Sequence, residues 1–309
     1  MTDIQELIPD VYVIPGGTNV GVIRVKTESG CGLYLIDSGG SEKDARKIEK
    51  ILDEHFTDRH LRAVINTHSH ADHTGGNAYF AEKTKCEIWM PYLEKGSVEN
   101  TLLQPSIAWG GFPLPELRTS YYVPAHCEAT RVIRAEECVE LSDGKKIRFI
   151  ALPGHYFEML GVMCTIPDGK CAFFAGDAVF GKKVIAKFSI PFMLDIFSFL
   201  DTLEKLRSVR ADRYVPSHGD AVTRIDETVE MNEIAVLQTI SCIMKILKKK
   251  PHTAEELLTE VANANGISMK LAQYVLIGST LRSFLTCLYE KGRITYEIAD
   301  NKMLWKAVD

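Results

Sequence analysis

The segment Thr67-His68-Ser69-His70-Ala71-Asp72-His73-Thr74-Gly75-Gly76-Asn77 packs four potential metal ligands into six positions, directly after the apolar run Leu61–Asn66. Side chains at i and i+2 of a strand end point to the same side, so His68 and His70 are placed to grip one ion. Asp72 and His73 then fall on the first turn of the helix that follows. Two neutral imidazoles and a carboxylate suit Zn²⁺ or another borderline divalent cation. Three further candidates sit at short turns after apolar strands: His155 in Leu152-Pro153-Gly154-His155, Asp177 in Ala175-Gly176-Asp177, and His218 in Pro216-Ser217-His218-Gly219. Each alone reads as turn chemistry, since Gly-Asp and His-Gly are common turn pairs; together with the first motif they read as one site.

The pattern around these residues is that of an α/β chain. Short β-branched runs at Val11–Ile14, Val20–Lys26 and Gly32–Ile36 predict strands. Ser41–Phe56 predicts an amphipathic helix behind a Ser41 cap, and a strand at Leu61–Asn66, a helix over Ala71–Thr84 and a strand at Glu87–Met90 follow. Residues 91–130 lack periodicity and hold Trp109, Phe112, Tyr121 and Tyr122 among Pro and Gly residues, the composition of a long loop that either forms a lid or packs its aromatics on the body. A second β-rich half runs through Arg131–Ile133, Lys146–Leu152, Leu160–Ile166, Cys171–Ala175 and Arg213–Pro216, with a helix near Ile196–Val209. From Val222 the chain turns helical: Val222–Lys250, His252–Asn265 behind the capping box Thr253–Glu256, and Ser268–Lys291. A hairpin, Arg293–Ile298 with Lys302–Ala307, completes the order of a winged-helix module.

The succession HxHxDH, Gly-His, Gly-Asp and a final His resembles the metallo-β-lactamase-fold hydrolases, over about residues 8–222. The resemblance implies a four-layer αββα sandwich in residues 1–222, with residues 223–309 as a smaller helical, winged-helix-like domain. It implies two divalent ions, Zn foremost with Fe or Mn as alternatives. His68, His70 and His155 would hold the first, Asp72, His73 and His218 the second, and Asp177 would bridge them. It implies hydrolysis by a metal-bridging hydroxide, with Asp72 also orienting the water or taking its proton. Asp37 matches the family's acid that buttresses a ligand histidine, and reads as well as a turn residue before the Ser41 helix. Relatives such as hydroxyacylglutathione hydrolase usually follow the Gly-His with Thr or Ser; here Tyr156 stands there. Tyr156, with Trp109, is therefore a candidate pocket residue governing substrate choice.

Charge bears on the substrate. The 309 residues carry 36 Lys+Arg against 41 Asp+Glu, a formal net charge of −5. The helical part from residue 223 balances basic and acidic residues, whereas a phosphate-tracking module needs a basic excess. A small thioester, ester or lactone is thus the expected substrate. The alternatives are a nuclease of the same fold, a mononuclear iron persulfide dioxygenase with the same ligands, or a structural metal protein. The last is opposed by seven ligands for two ions, which leave a position open to water. The most apolar long stretch, Val184–Leu200, is interrupted by Lys187, Pro191 and Asp195, so no membrane span is expected. No targeting segment is visible, and eight scattered cysteines without a C-x-x-C pair read as reduced thiols of a cytoplasmic protein, with a homodimer possible.

Overall fold

The computed structural model describes residues 4–27 and 30–308. β1 (Gln5–Ile8), β2 (Val11–Ile14), β3 (Val20–Thr27) and β4 (Gly30–Ile36) form an antiparallel meander. The sheet continues in parallel through β5 (Arg59–Ile65), β6 (Glu87–Pro91) and β7 (Arg131–Ile133). Parallel neighbours need crossovers, and these are α1 (Glu42–His55), then α2 (Ala71–Thr74) with α3 (Asn77–Thr84), then a segment holding α4 (Lys95–Glu99) and α5 (Leu103–Trp109). The second sheet has the order β12-β11-β10-β9-β8, from β8 (Cys138–Glu140), β9 (Lys146–Ala151), β10 (Leu160–Thr165), β11 (Cys171–Phe180) and β12 (Arg213–His218). Only β11 and β12 run parallel in it, joined through α6 (Lys182–Phe188) and α7 (Ile196–Ser208). The C-terminal part comprises α8 (Asp226–Leu247), α9 (Ala254–Ala264), α10 (Leu271–Glu290) and the hairpin β13 (Ile294–Ala299) with β14 (Lys302–Ala307).

Alternation decides the layers. Ile23, Ile36 and Ile65 from one sheet meet Phe149, Val162 and Phe174 from the other in a shared inner core. The opposite face of the first sheet buries Leu33, Leu35 and Val64 against Ile48 and Leu52 of α1 and Phe80 of α3. The outer face of the second sheet buries Phe173 and Ala175 against Phe199 and Leu203 of α7 and Val229, Val236 and Ile240 of α8. The result is the αββα sandwich, with a C-terminal helical region. That last core runs without a break into α9 and α10 through Leu257, Leu281 and Phe284. By length and composition α10 could cross a membrane, yet Val275, Leu281, Phe284, Leu285 and Leu288 on it are buried within the protein.

Three sequence expectations differ from the structure. The single helix over 71–84 is two, because the 40–41 backbone packs directly on Gly75: a Cβ there would lie 2.3 Å from the Gly40 carbonyl carbon. The strand expected to stop at Ala175 continues to Phe180 through shifted register, so Gly176 and Asp177 sit on an irregular strand and not in a turn. The long loop contains α4, α5 and a 3-10 turn at Pro115–Leu117. β1, β8 and α6 have no counterpart in the sequence reading.

Candidate metal centre

All seven expected ligands converge where the two sheets meet at one edge. His68 and His70 leave the end of β5, and Asp72 and His73 ride on α2. His155 follows β9, Asp177 lies on β11 and His218 ends β12. Gly154 makes the approach of His155 possible: its φ is +124°, and a Cβ would lie 2.3 Å from the Phe199 nitrogen.

Hydrogen bonds to the outer ring nitrogens of four histidines aim their Nε2 atoms at the centre. His155 Nδ1 donates to the Phe192 carbonyl at 2.9 Å and His218 Nδ1 to the Gly17 carbonyl at 2.7 Å, which turns both Nε2 atoms inward, that of His155 to 2.9 Å from His70 Nδ1. Asp37, 1% exposed, accepts from His73 Nδ1 at 2.8 Å, from the Thr67 amide at 2.8 Å and from the Thr67 hydroxyl at 2.9 Å. With its proton given to Asp37, the Thr67 oxygen can accept from His68 Nδ1 at 3.0 Å. His68 and His73 thus also point their Nε2 atoms inward, that of His68 to 3.0 Å from His70 Nδ1.

Those atoms group in three sets whose members lie within 4.8 Å of one another: His68, His70 and His155; His68, His73 and Asp177; Asp72, His73 and His218. Asp177 Oδ2 is 3.4 Å from Nε2 of both His155 and His218. His73 Nε2 and Asp177 Oδ1 are fully buried and have no hydrogen-bond partner. Buried polar atoms are normally paired, so two orphans among converging lone pairs fit positively charged ions. The His and Asp residues are therefore positioned for metal binding.

The electrostatics agree. Burial, followed by the charge of neighbouring histidines, holds His68 and His70 well below the usual histidine value, in the neutral form that binds metal. Burial also pushes His73 down, but Asp72, Asp177 and Asp37 outweigh it and carry it up to about 10. His218 is raised well above its ordinary value against the pull of burial, by Asp177 and Asp72. Burial opposes ionisation of Asp72 and Asp177, yet the facing histidines keep both below the usual carboxylate range.

A cavity of about 660 Å³ opens onto this cluster. Its walls are mainly apolar, from Phe180, Ile190, Phe192, Tyr122, Leu276 and Ile277. Tyr156 lines it, 2% exposed, with its ring 4.4 Å from that of His70. Trp109 does not line it. α5 turns Gln104 and Ala108, one helical turn apart, to the cavity, whereas Trp109 is a step round the helix and borders a second groove with Phe197 and Arg282. His126 in the same segment is exposed and bonds the Glu99 carbonyl, away from the cluster.

Sequence reasoning missed Glu94. It is 0% exposed, and its carboxylate accepts from the Ser69 hydroxyl at 2.5 Å, the Ser69 amide at 3.2 Å and the Glu158 amide at 2.9 Å. It therefore ties the loop carrying His68 and His70 to the turn after His155. No local motif marks it.

Comparison with known proteins places the chain. Residues 13–218 match the family model described as Metallo-beta-lactamase superfamily. An Atrochrysone carboxyl ACP thioesterase of Emericella nidulans is 25% identical over 100% of this chain and 87% of its own length. A linear primary-alkylsulfatase of a Pseudomonas species is 24% identical over 74% of this chain and 48% of its own. Among solved structures, a beta-lactamase domain protein from Burkholderia ambifaria superposes with a TM-score of 0.76 at 17% identity, covering 99% of this chain and 94% of that one. A metallo-beta-lactamase family protein from Thermus thermophilus gives 0.75 at 17% identity, covering 98% and 100%. The matched segment contains the ligand cluster from His68 to His218, and the chain belongs to the metallo-beta-lactamase superfamily of metal-dependent hydrolases.

Proposed function

We propose that the protein hydrolyses a small acyl thioester with two divalent ions, Zn foremost. The observation that carries this reading is the mainly apolar cavity opening directly onto the candidate ligand cluster. Such a cavity suits an acyl chain. The full-length similarity to an ACP thioesterase supports the same substrate class over the ester and lactone alternatives.

His68, His70 and His155 hold one ion and Asp72, His73 and His218 the other, with Asp177 placed between. Bound cations there supply Lewis acidity, acidifying water and polarising a carbonyl. The chain's own residues do the rest. Asp37 fixes His73 in the tautomer with Nε2 bare, and the Phe192 and Gly17 carbonyls do so for His155 and His218. Asp72 is the carboxylate on the open side, its side chain 46% exposed against 5% for Asp177. Its carboxylate is suited to orient the attacking water or take its proton. The Phe180, Ile190, Phe192 and Ile277 walls hold the acyl group and exclude bulk water.

The test is metal analysis with a panel of thioesters, esters, lactones, β-lactams, phosphodiesters and RNA. Thioesters are expected to give the highest kcat/KM, and activity is expected to fall with chelation. RNA cleaved faster than every acyl substrate would overturn the reading. So would full activity with a single iron on a persulfide.

A further inference from the structure

The cavity has a charge asymmetry that the net charge hides. Apart from Asp72 and Asp177, which belong to the ligand cluster, every full charge on a lining side chain, histidines aside, is positive: Lys183, Lys187 and Lys270. Lys183 and Lys187 are one turn apart on α6, and Lys270 stands at the start of α10. The stretch 181–194 holds three lysines and no acid, and 261–281 holds Lys270 and no acid. All three lining lysines are exposed, and among the described residues none is in an ion pair. Lys187 Nζ rests over the Phe188 ring at 4.8 Å. Like charges gathered around an apolar cavity in a chain of net −5 repel one another unless an anion joins them.

Resting on the thioester reading, we propose that Lys183, Lys187 and Lys270 are specificity-determining residues that bind a phosphate on the thiol arm of the substrate. Ligand carboxylates compensated by bound cations leave the mouth positive. A phosphate there would hold the leaving-group arm at the rim while the acyl chain fills the apolar wall. A phosphopantetheine arm has this chemistry: a thiol at one end, an amide-linked linear chain, and a phosphate at the other. Lysine ammonium groups suit such a ligand as point charges without a fixed fork geometry.

The probes are 4′-phosphopantetheine and pantetheine, which share the thiol and differ by the phosphate. By calorimetric titration the wild-type protein is expected to bind the phosphorylated form about tenfold more tightly. The preference should vanish in K183A/K187A/K270A, persist in the triple Lys→Arg variant, and shrink as salt screens the charges. In turnover, the ratio of kcat/KM for a coenzyme A thioester over the uncharged N-acetylcysteamine thioester of the same acid should fall about tenfold in the alanine variant. Equal binding of the two probes by the wild type, or an unchanged preference in the alanine variant, overturns the assignment. A loss seen only with an acyl carrier protein, and not with the coenzyme A thioester, also overturns it, because the lysines would then contact the carrier's surface. Phosphate-dependent binding without hydrolysis of either thioester would fail the thioester reading alone, so the two are separately decided.

Discussion

At the scale of single residues, the centre is built from groups whose charge depends on their neighbours. Without cations, His73 at about 10 and His218 well above its ordinary value are protonated at neutral pH. Ligation needs them neutral, so loading metal-free protein at pH 7 is expected to release about two protons per chain. Apparent affinity therefore rises with pH, and proton release on adding Zn²⁺ in weak buffer measures it; no release would remove His73 and His218 as ligands. Asp177→Asn is expected to lose bound metal and at least about two orders of magnitude in kcat, with the fold intact by circular dichroism. Near-normal metal content would exclude Asp177 from the ligand set. Glu94 supplies a stability test. Burial, only partly offset by its bonds to Ser69 and Glu158, raises it to about 7. The folded chain then keeps a proton that the unfolded chain has lost, so this contribution is present below the usual carboxylate pKa and disappears as pH rises to about 7. Roughly 3 kcal/mol is at stake. Glu94→Gln should flatten denaturation midpoints between pH 5 and 7.5; identical pH slopes in both proteins would refute it. The four candidate ligands from His68 to His73 were legible because strand and helix geometry bring them together locally. Glu94 was not, since its partners are 25 and 64 residues away and nothing near it in sequence reports them.

Among the elements, periodic ones were readable and those shaped by a neighbour were not. α1 carries its apolar residues on one face behind Ser41, whose hydroxyl accepts from the Asp44 amide, as the pattern predicts. The Thr253–Glu256 capping box likewise forms from both sides. By contrast, the break at Gly75-Gly76 follows from the 40–41 backbone passing over it, and the irregular course of β11 through Asp177 follows from its pairing with β12. Neither partner is local. The segment over the cavity is held by a small cluster of its own, in which Leu117 and Tyr122 meet Val275 of α10. Its contacts are few beside the main cores, so it is expected to open on its own at low cost. Leu117→Ala should raise KM severalfold and speed amide exchange over residues 103–122, with metal content and the thermal midpoint little changed. If the midpoint drops by as much as for Phe284→Ala in the main core, the segment is part of the global fold and not a lid.

Across the whole molecule, one apolar cluster spans the expected domain boundary near residue 222, carrying Phe173 and Ala175 of β11, Phe199 of α7, Val236 of α8 and Phe284 of α10. Buried polar contacts cross the same line. Asn232, 1% exposed, accepts from the Phe180 amide at 3.0 Å and donates to its carbonyl at 2.8 Å, three residues beyond Asp177. Thr280 accepts from the Met193 amide at 3.1 Å, and Ser283 donates to the Leu194 carbonyl at 2.7 Å. Composition could not reveal this, because a helix that covers a sheet of its own domain and one that closes a separate core have the same apolar stripe. Removing residues 223–309 would bare an apolar face larger than the few hundred Å² a soluble monomer commonly tolerates. Residues 1–222 expressed alone are therefore expected to aggregate, and the full chain to unfold in one calorimetric transition with matching calorimetric and van't Hoff enthalpies. Cations should move that single transition as a unit. The candidate ligands come from both sheets, His68 to His73 from one and His155, Asp177 and His218 from the other, so bound ions would cross-link the halves in the native state only. Chelation should lower the midpoint, and added Zn²⁺ should restore it with a dependence on free metal that follows mass action. Two resolved transitions, only one of them moved by metal, would show that the C-terminal helices fold apart from the sandwich.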